Sequence, residues 1–248
     1  MNSLVIWLAV ILSSMAAGVI QSVTGFGAAV VMMVVLGYVM EISQAASLVT
    51  FISLFLAGAI LFQVRKSLEL RRMLLPIAVF LLFSTTSILL TDYIDLRALN
   101  LAFAILLILL SVFYLFFKRK RKHRPSKLTG LACSALSGVC AGLFSMGGPT
   151  MALYFLEDTD NRASYVANLQ FLFVVTGAVN FMTRTFTGLF TADMIPLCAV
   201  GTAAILVGRV FGRMAEKRIS KGVAEKIIYI SVGVSGIICI VTELLSHR

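Results

Sequence analysis

The chain has 248 residues, 60% of them hydrophobic and only 13% charged, with a mean hydropathy of +1.00. A soluble domain of this size cannot hide that much apolar surface, so the composition excludes a soluble fold and defines an all-α, polytopic membrane protein. The net charge of +10 does not point to nucleic acid, because seventeen of the 21 Lys and Arg fall in three windows, Arg65 to Arg72, Lys118 to Lys127 and Arg209 to Lys226. Basic residues gather in this way in the cytoplasmic loops of membrane proteins, where they also touch anionic lipid head groups.

In chain order the apolar segments run 4–21, 28–40, 43–63, 73–91, 97–117, 128–144, 149–156, 164–190, 191–208 and 223–245. The first resembles the apolar part of a signal peptide but lacks a basic stretch before it, so it reads as a retained helix. A crossing helix needs about 20 residues to span a core of ~30 Å. Segments 28–40 and 149–156 are too short for that. Each reads as the second arm of a re-entrant hairpin, turning at Gly25-Phe26-Gly27 or Met146-Gly147-Gly148. The first arms are long enough to reach across if upright, so passage by a broken helix stays open.

The two short arms belong to a repeat. Gly18-Val19, Gly27 and Pro76 recur 120 positions later as Gly138-Val139, Gly147 and Pro196. This divides the chain into a first repeat (1–117), a basic, Pro-containing cytoplasmic linker (118–127) and a second repeat (128–248), together one transport unit. Each half holds a broken or re-entrant helical hairpin and three transmembrane helices. With the three basic windows inside, the pair 128–144 and 149–156 must return to its starting side. The loop at 64–72 is then inside and its counterpart near 183–193 outside, while the loop at 92–97 is outside and its counterpart at 209–222 inside. The halves therefore have opposite orientation, an inverted repeat with both termini outside.

Interrupted helices in matching positions of two halves mark a transporter's binding site. A helix start presents unpaired N–H groups and the positive end of the helix dipole. Two starts facing each other form a site for a small anion, and glycines let the backbone approach it. The candidate substrate-binding residues are therefore Gln21, Ser22, Thr24, Gly25, Phe26, Gly27 and Ala28 at the first tip, and Ser145, Met146, Gly147, Gly148, Pro149 and Thr150 at the second. Pro149 suits the first helical position, and Phe26 and Met146 are equivalent apolar gates. Asn168 and Gln170 are amides in a membrane helix and point to substrate contact or to helix-to-helix bonding. Thr50, Cys140 and Arg209 are second-rank candidates. Arg184 and Arg209 lie near helix ends, where a long cationic side chain snorkels to the interface.

No Asp, Glu, Lys or His sits deep in an apolar segment. Strong proton coupling, which relies on an intramembrane titratable group, is disfavoured. The four cysteines and two histidines have no metal spacing, and no nucleophile–base set is evident. The expectation is a transporter and not an enzyme, with no metal and no cofactor. An anion leaves a negative interior downhill, gaining about 2.3 kcal/mol per charge per 100 mV, so export needs no second ion.

The motifs Gly18 to Gly27 and Gly138 to Pro149, with Ala45-Ala46-Ser47, Ala163-Ser164 and Gly208-Arg209-Val210-Phe211-Gly212-Arg213, resemble the TauE/SafE (TSUP) family of sulfite and organosulfonate exporters. The resemblance implies an inner-membrane protein that exports a small sulfur-containing anion such as sulfite, thiosulfate or sulfoacetate. Its partners are that anion and the lipid bilayer, and self-association is left open. An ion-coupled importer or a channel for a small anion, and a non-transporting scaffold subunit, are the competing readings.

Overall fold

The computed structural model describes residues 3–116, 125–159 and 161–215. The expected last segment (223–245), most of the basic linker, Cys239 and both histidines lie outside these residues. Nine α-helices follow one another in the described part: α1 (Ser3–Thr24), α2 (Ala28–Val39), α3 (Ile42–Val64), α4 (Leu70–Leu90), α5 (Leu96–Phe116), α6 (Lys127–Phe144), α7 (Gly148–Asp158), α8 (Arg162–Phe186) and α9 (Ile195–Ala215). Six of them, α1, α3, α4, α6, α8 and α9, are long and apolar enough to cross a membrane. The protein is an all-α, multi-pass membrane protein. Helices α2 and α7 have 12 and 11 residues, which at 1.5 Å per residue reach only about 17–18 Å.

Both interruptions have a local cause. After α1, Gly25 and Gly27 take φ of 89° and 97°, a left-handed backbone that glycine adopts without a Cβ penalty. After α6 it is Ser145 that turns left-handed, at φ 59°. The amides of Ser145 and Met146 close that helix end on the carbonyls of Ala141 (2.9 Å) and Cys140 (3.2 Å), which satisfies orphan carbonyls of the last turn. Helix α7 then runs back along α6. The Ser137 and Thr150 hydroxyls pair, Ser134 meets the Met151 sulfur at 3.6 Å, and the Tyr154 ring covers Gly130. In the first half, α2 packs against α1.

The most extensive helix pairs are α1 with α9, α4 with α6 and α3 with α8. Small residues allow these approaches. A Cβ on Gly212 would lie 2.7 Å from the Val19 carbonyl, and one on Gly138 would lie 2.6 Å from the Phe80 carbonyl. Lipid gives helices no hydrophobic reason to associate, so close backbone packing of this kind is what holds them. Leu4, Leu8, Leu12, Leu74, Leu75 and Leu82 stand exposed on the outside, as expected of a lipid-facing surface.

Two apolar clusters form the interior. One joins residues of α1, α2, α3, α5 and α9 with Phe144 at the end of α6, and the other joins residues of α4, α6, α7 and α8. The hairpin tips exchange places between them. Phe26 is buried in the second cluster and Met146 in the first.

A cavity between two helix starts

The tips enclose a cavity of about 60 Å³. A single water needs roughly 10–15 Å³ measured in the same way, so there is room for a small polyatomic ion. The first tip contributes Gln21, Gly27, Ala29 and Val30, and the second contributes Ser145, Met146, Gly147 and Gly148. Thr50 and Ser53 enter from α3, and Thr176, Gly177 and Asn180 from α8. Phe80 and Phe173 supply aromatic walls, and Ala141 closes one side.

Both short helices start at this cavity. Gly27 precedes α2 and Gly147 precedes α7, and neither glycine offers a capping side chain of its own. The first-turn amides and the positive dipole ends are therefore directed at the cavity wall. The first amide of α2 is an exception: Ala28 donates to Gln21 Oε1 at 3.3 Å, so at this tip Ala29 and Val30 line the space. Pro149 occupies the second helical position of α7, one residue later than expected, where its missing N–H is equally harmless.

Polar side chains pin each tip from the opposite half. Gln170 donates to the Gly25 carbonyl at 2.7 Å and accepts from Gln21 Nε2 at 3.0 Å. Thr50 shares a 2.5 Å hydrogen bond with Ser145. Thr50 and Gln170 are equivalent, 120 positions apart, and so are Gly25 and Ser145. The third helix of each half thus holds the tip of the other.

Of the sequence candidates, Gln21, Gly27, Thr50, Ser145, Met146, Gly147 and Gly148 meet at the cavity. The others are placed elsewhere. Ser22 bonds the Gly18 carbonyl at 2.7 Å, and the Thr24 hydroxyl closes its own turn on the Phe26 carbonyl at 2.6 Å. Gly25, Phe26, Ala28 and Gln170 shape the first tip without lining the cavity. Thr150 faces Ser137, and Asn168 accepts the Glu69 amide at 3.0 Å. Cys140 and Arg209 are absent from the wall.

Phe173, Thr176, Gly177 and Asn180 lie at positions i, i+3, i+4 and i+7 of α8, so one helix face carries them all. Snorkelling fails for both arginines: Arg184 is 0% exposed and Arg209 is 7% exposed. Arg184 instead turns inward and donates through Nη2 to the carbonyls of Gly142 and Ala141.

A helical bundle whose broken helices meet at one small, carboxylate-free cavity defines a multi-pass membrane protein of the transporter class. The sequence matches the sulfite exporter TauE/SafE family over residues 10–238. The chain belongs to that family, whose members are transporters and not enzymes. Neither a curated protein nor a solved structure matches it.

Proposed function

We propose that this chain is a carrier that exports a small sulfur-containing anion across the inner membrane through the cavity between the hairpin tips. The observation that carries this reading is the meeting of two helix starts, at Gly27 and Gly147, on one cavity whose wall contains no carboxylate. Amide donors at helix starts suit an anion, and the Thr50, Ser53 and Ser145 hydroxyls add donors on the same wall. Family membership supports a sulfur oxyanion or sulfonate.

Residues 1–117 and 128–248 are the two inverted repeats, joined by a cytoplasmic linker, with both termini outside. The exchange of helix partners, α1 with α9 and α6 with α4 about a central α3 and α8, supports this arrangement. Export follows the membrane potential and needs no coupled proton, in keeping with the absence of Asp and Glu among the described buried residues.

Sulfite flux in proteoliposomes tests the reading, with Gly177→Val beside the wild type. Gly177 lines the cavity, and a Cβ there meets only Leu54, at 3.4 Å. A valine there adds bulk at the cavity wall, and its Cβ meets no backbone of another helix within 4 Å. Wild-type protein moves a sulfur anion, and folded Gly177→Val loses most of that flux. No flux of any sulfur anion by the wild type would overturn the function. Undiminished flux by folded Gly177→Val would overturn the site.

A further inference from the structure

Arg184 is completely buried on α8. A guanidinium carries five N–H donors and keeps its charge. Here Nη2 donates to the Gly142 and Ala141 carbonyls, in the last turn of α6, where the helix dipole is negative. Among the described residues Nε and Nη1 have no partner, and the described buried residues include no Asp or Glu. A buried charge without a counter-ion is costly, and two carbonyl contacts offset that cost only in part.

The surroundings indicate what completes it. Arg184 follows Asn180 by one helical turn, on the α8 face that carries Phe173, Thr176 and Gly177 to the cavity. The Ala141 carbonyl that it holds belongs to a residue of the same cavity wall.

We propose that Arg184 is a second anion station beside the tip cavity, its Nε and Nη1 taking an oxyanion that enters or leaves past Ala141 and Asn180. The planar fork of an arginine matches two oxygens of one oxyanion. The station rests on the tip-cavity route proposed above. The two sites divide the work: helix starts hold the ion in the cavity, and the buried charge draws it to or from that cavity.

The test is the KM for sulfite flux in proteoliposomes made from wild type, Arg184→Gln, Arg184→Lys and Gly177→Val, with folding checked by size exclusion. Glutamine keeps a donor for the α6 carbonyls and removes both charge and fork, whereas lysine keeps the charge alone. Loss of a charge-assisted hydrogen bond predicts a KM raised at least ~tenfold in Arg184→Gln and less in Arg184→Lys, with kcat changed less than KM. A residue that only caps α6 would leave KM unchanged in every folded variant, and that result overturns the station. If Arg184→Gln does not fold, Arg184→Lys decides: a raised KM supports the station and an unchanged one overturns it. Wild-type flux through folded Gly177→Val sinks the route and the station with it. A block by Gly177→Val with unchanged KM in the Arg184 variants sinks the station alone.

Discussion

Phe26 and Met146 occupy equivalent positions of the two hairpin tips, and they are buried in different apolar clusters, Phe26 with residues of α4, α6, α7 and α8 and Met146 with residues of α1, α2, α3, α5 and α9. Each is nearly inaccessible, at 3% and 1% exposure. The exchange locks both tips by packing, and it sets the distance between the helix starts at Gly27 and Gly147. Truncating either residue leaves a void in the cluster that receives it. Phe26→Ala is expected to cost about 3–5 kcal/mol and Met146→Ala about 2–5 kcal/mol, whereas Met146→Leu, which conserves volume, costs less than about 1.5 kcal/mol. Thermal unfolding in detergent checks the ranking. Equal behaviour of Met146→Ala and Met146→Leu would contradict the crossed packing.

Gln170 and Thr50 add a polar tie to each tip. Gln170→Leu strands the buried Gly25 carbonyl and frees Gln21, so it is expected to destabilise by about 1–3 kcal/mol, the penalty for an unsatisfied buried acceptor. Thr50→Val keeps the shape and removes one hydroxyl partner of Ser145, and its expected cost is about 1 kcal/mol. Thr50 also lines the cavity, so Thr50→Val raises KM for the transported anion. Gln170→Leu acts on the tip and lowers the amount of folded protein first. Melting curves and flux kinetics on the same preparations separate the two effects.

Much of this arrangement is legible in the amino-acid order. The short arms α2 and α7 follow from apolar runs too brief to cross, and the break at Gly25 to Gly27 follows from glycines that take positive φ. The second break is legible in position but differs in mechanism. Ser145 makes the left-handed turn, while Gly147 has an ordinary φ of −75° and is needed for space. A Cβ on Gly147 would lie 2.6 Å from the Phe80 ring and 2.8 Å from the Ser137 carbonyl. For this reason Gly147→Leu would disturb the fold as well as the site, and Gly177→Val is the cleaner block. The face of α8 that reaches the cavity is hidden in sequence, because average hydropathy does not record which side of a helix a residue occupies. Arg184 reads as an interface residue from its place near a helix end. Only the carbonyls of Ala141 and Gly142, brought up by tertiary packing, show that it turns inward.

Glycine substitutions discriminate between seam and open positions. At Gly208 a Cβ would fall on the Met15 backbone in the α1–α9 seam, and at Gly58, within α3, it meets nothing within 4 Å. Gly208→Ala is therefore expected to force the two helices apart and reduce the yield of folded protein. Gly58→Ala is expected to be neutral or to stabilise by about 0.5–1 kcal/mol through helix propensity. Yield and melting temperature in detergent read both. A well-folded Gly208→Ala with an unchanged melting temperature would contradict the α1–α9 contact.

The central claim, an uncoupled anion exporter with its site between two helix starts, is tested most directly by potential-driven flux. Purified wild-type protein in liposomes is given sulfite on one side, no pH or sodium gradient, and an imposed potential of either sign. Saturable sulfite movement toward the positive side, reversed when the potential is reversed, is the predicted result, with a driving force of about 2.3 kcal/mol per charge per 100 mV. Flux that appears only after a proton or sodium gradient is added, and ignores the sign of the potential, would contradict it.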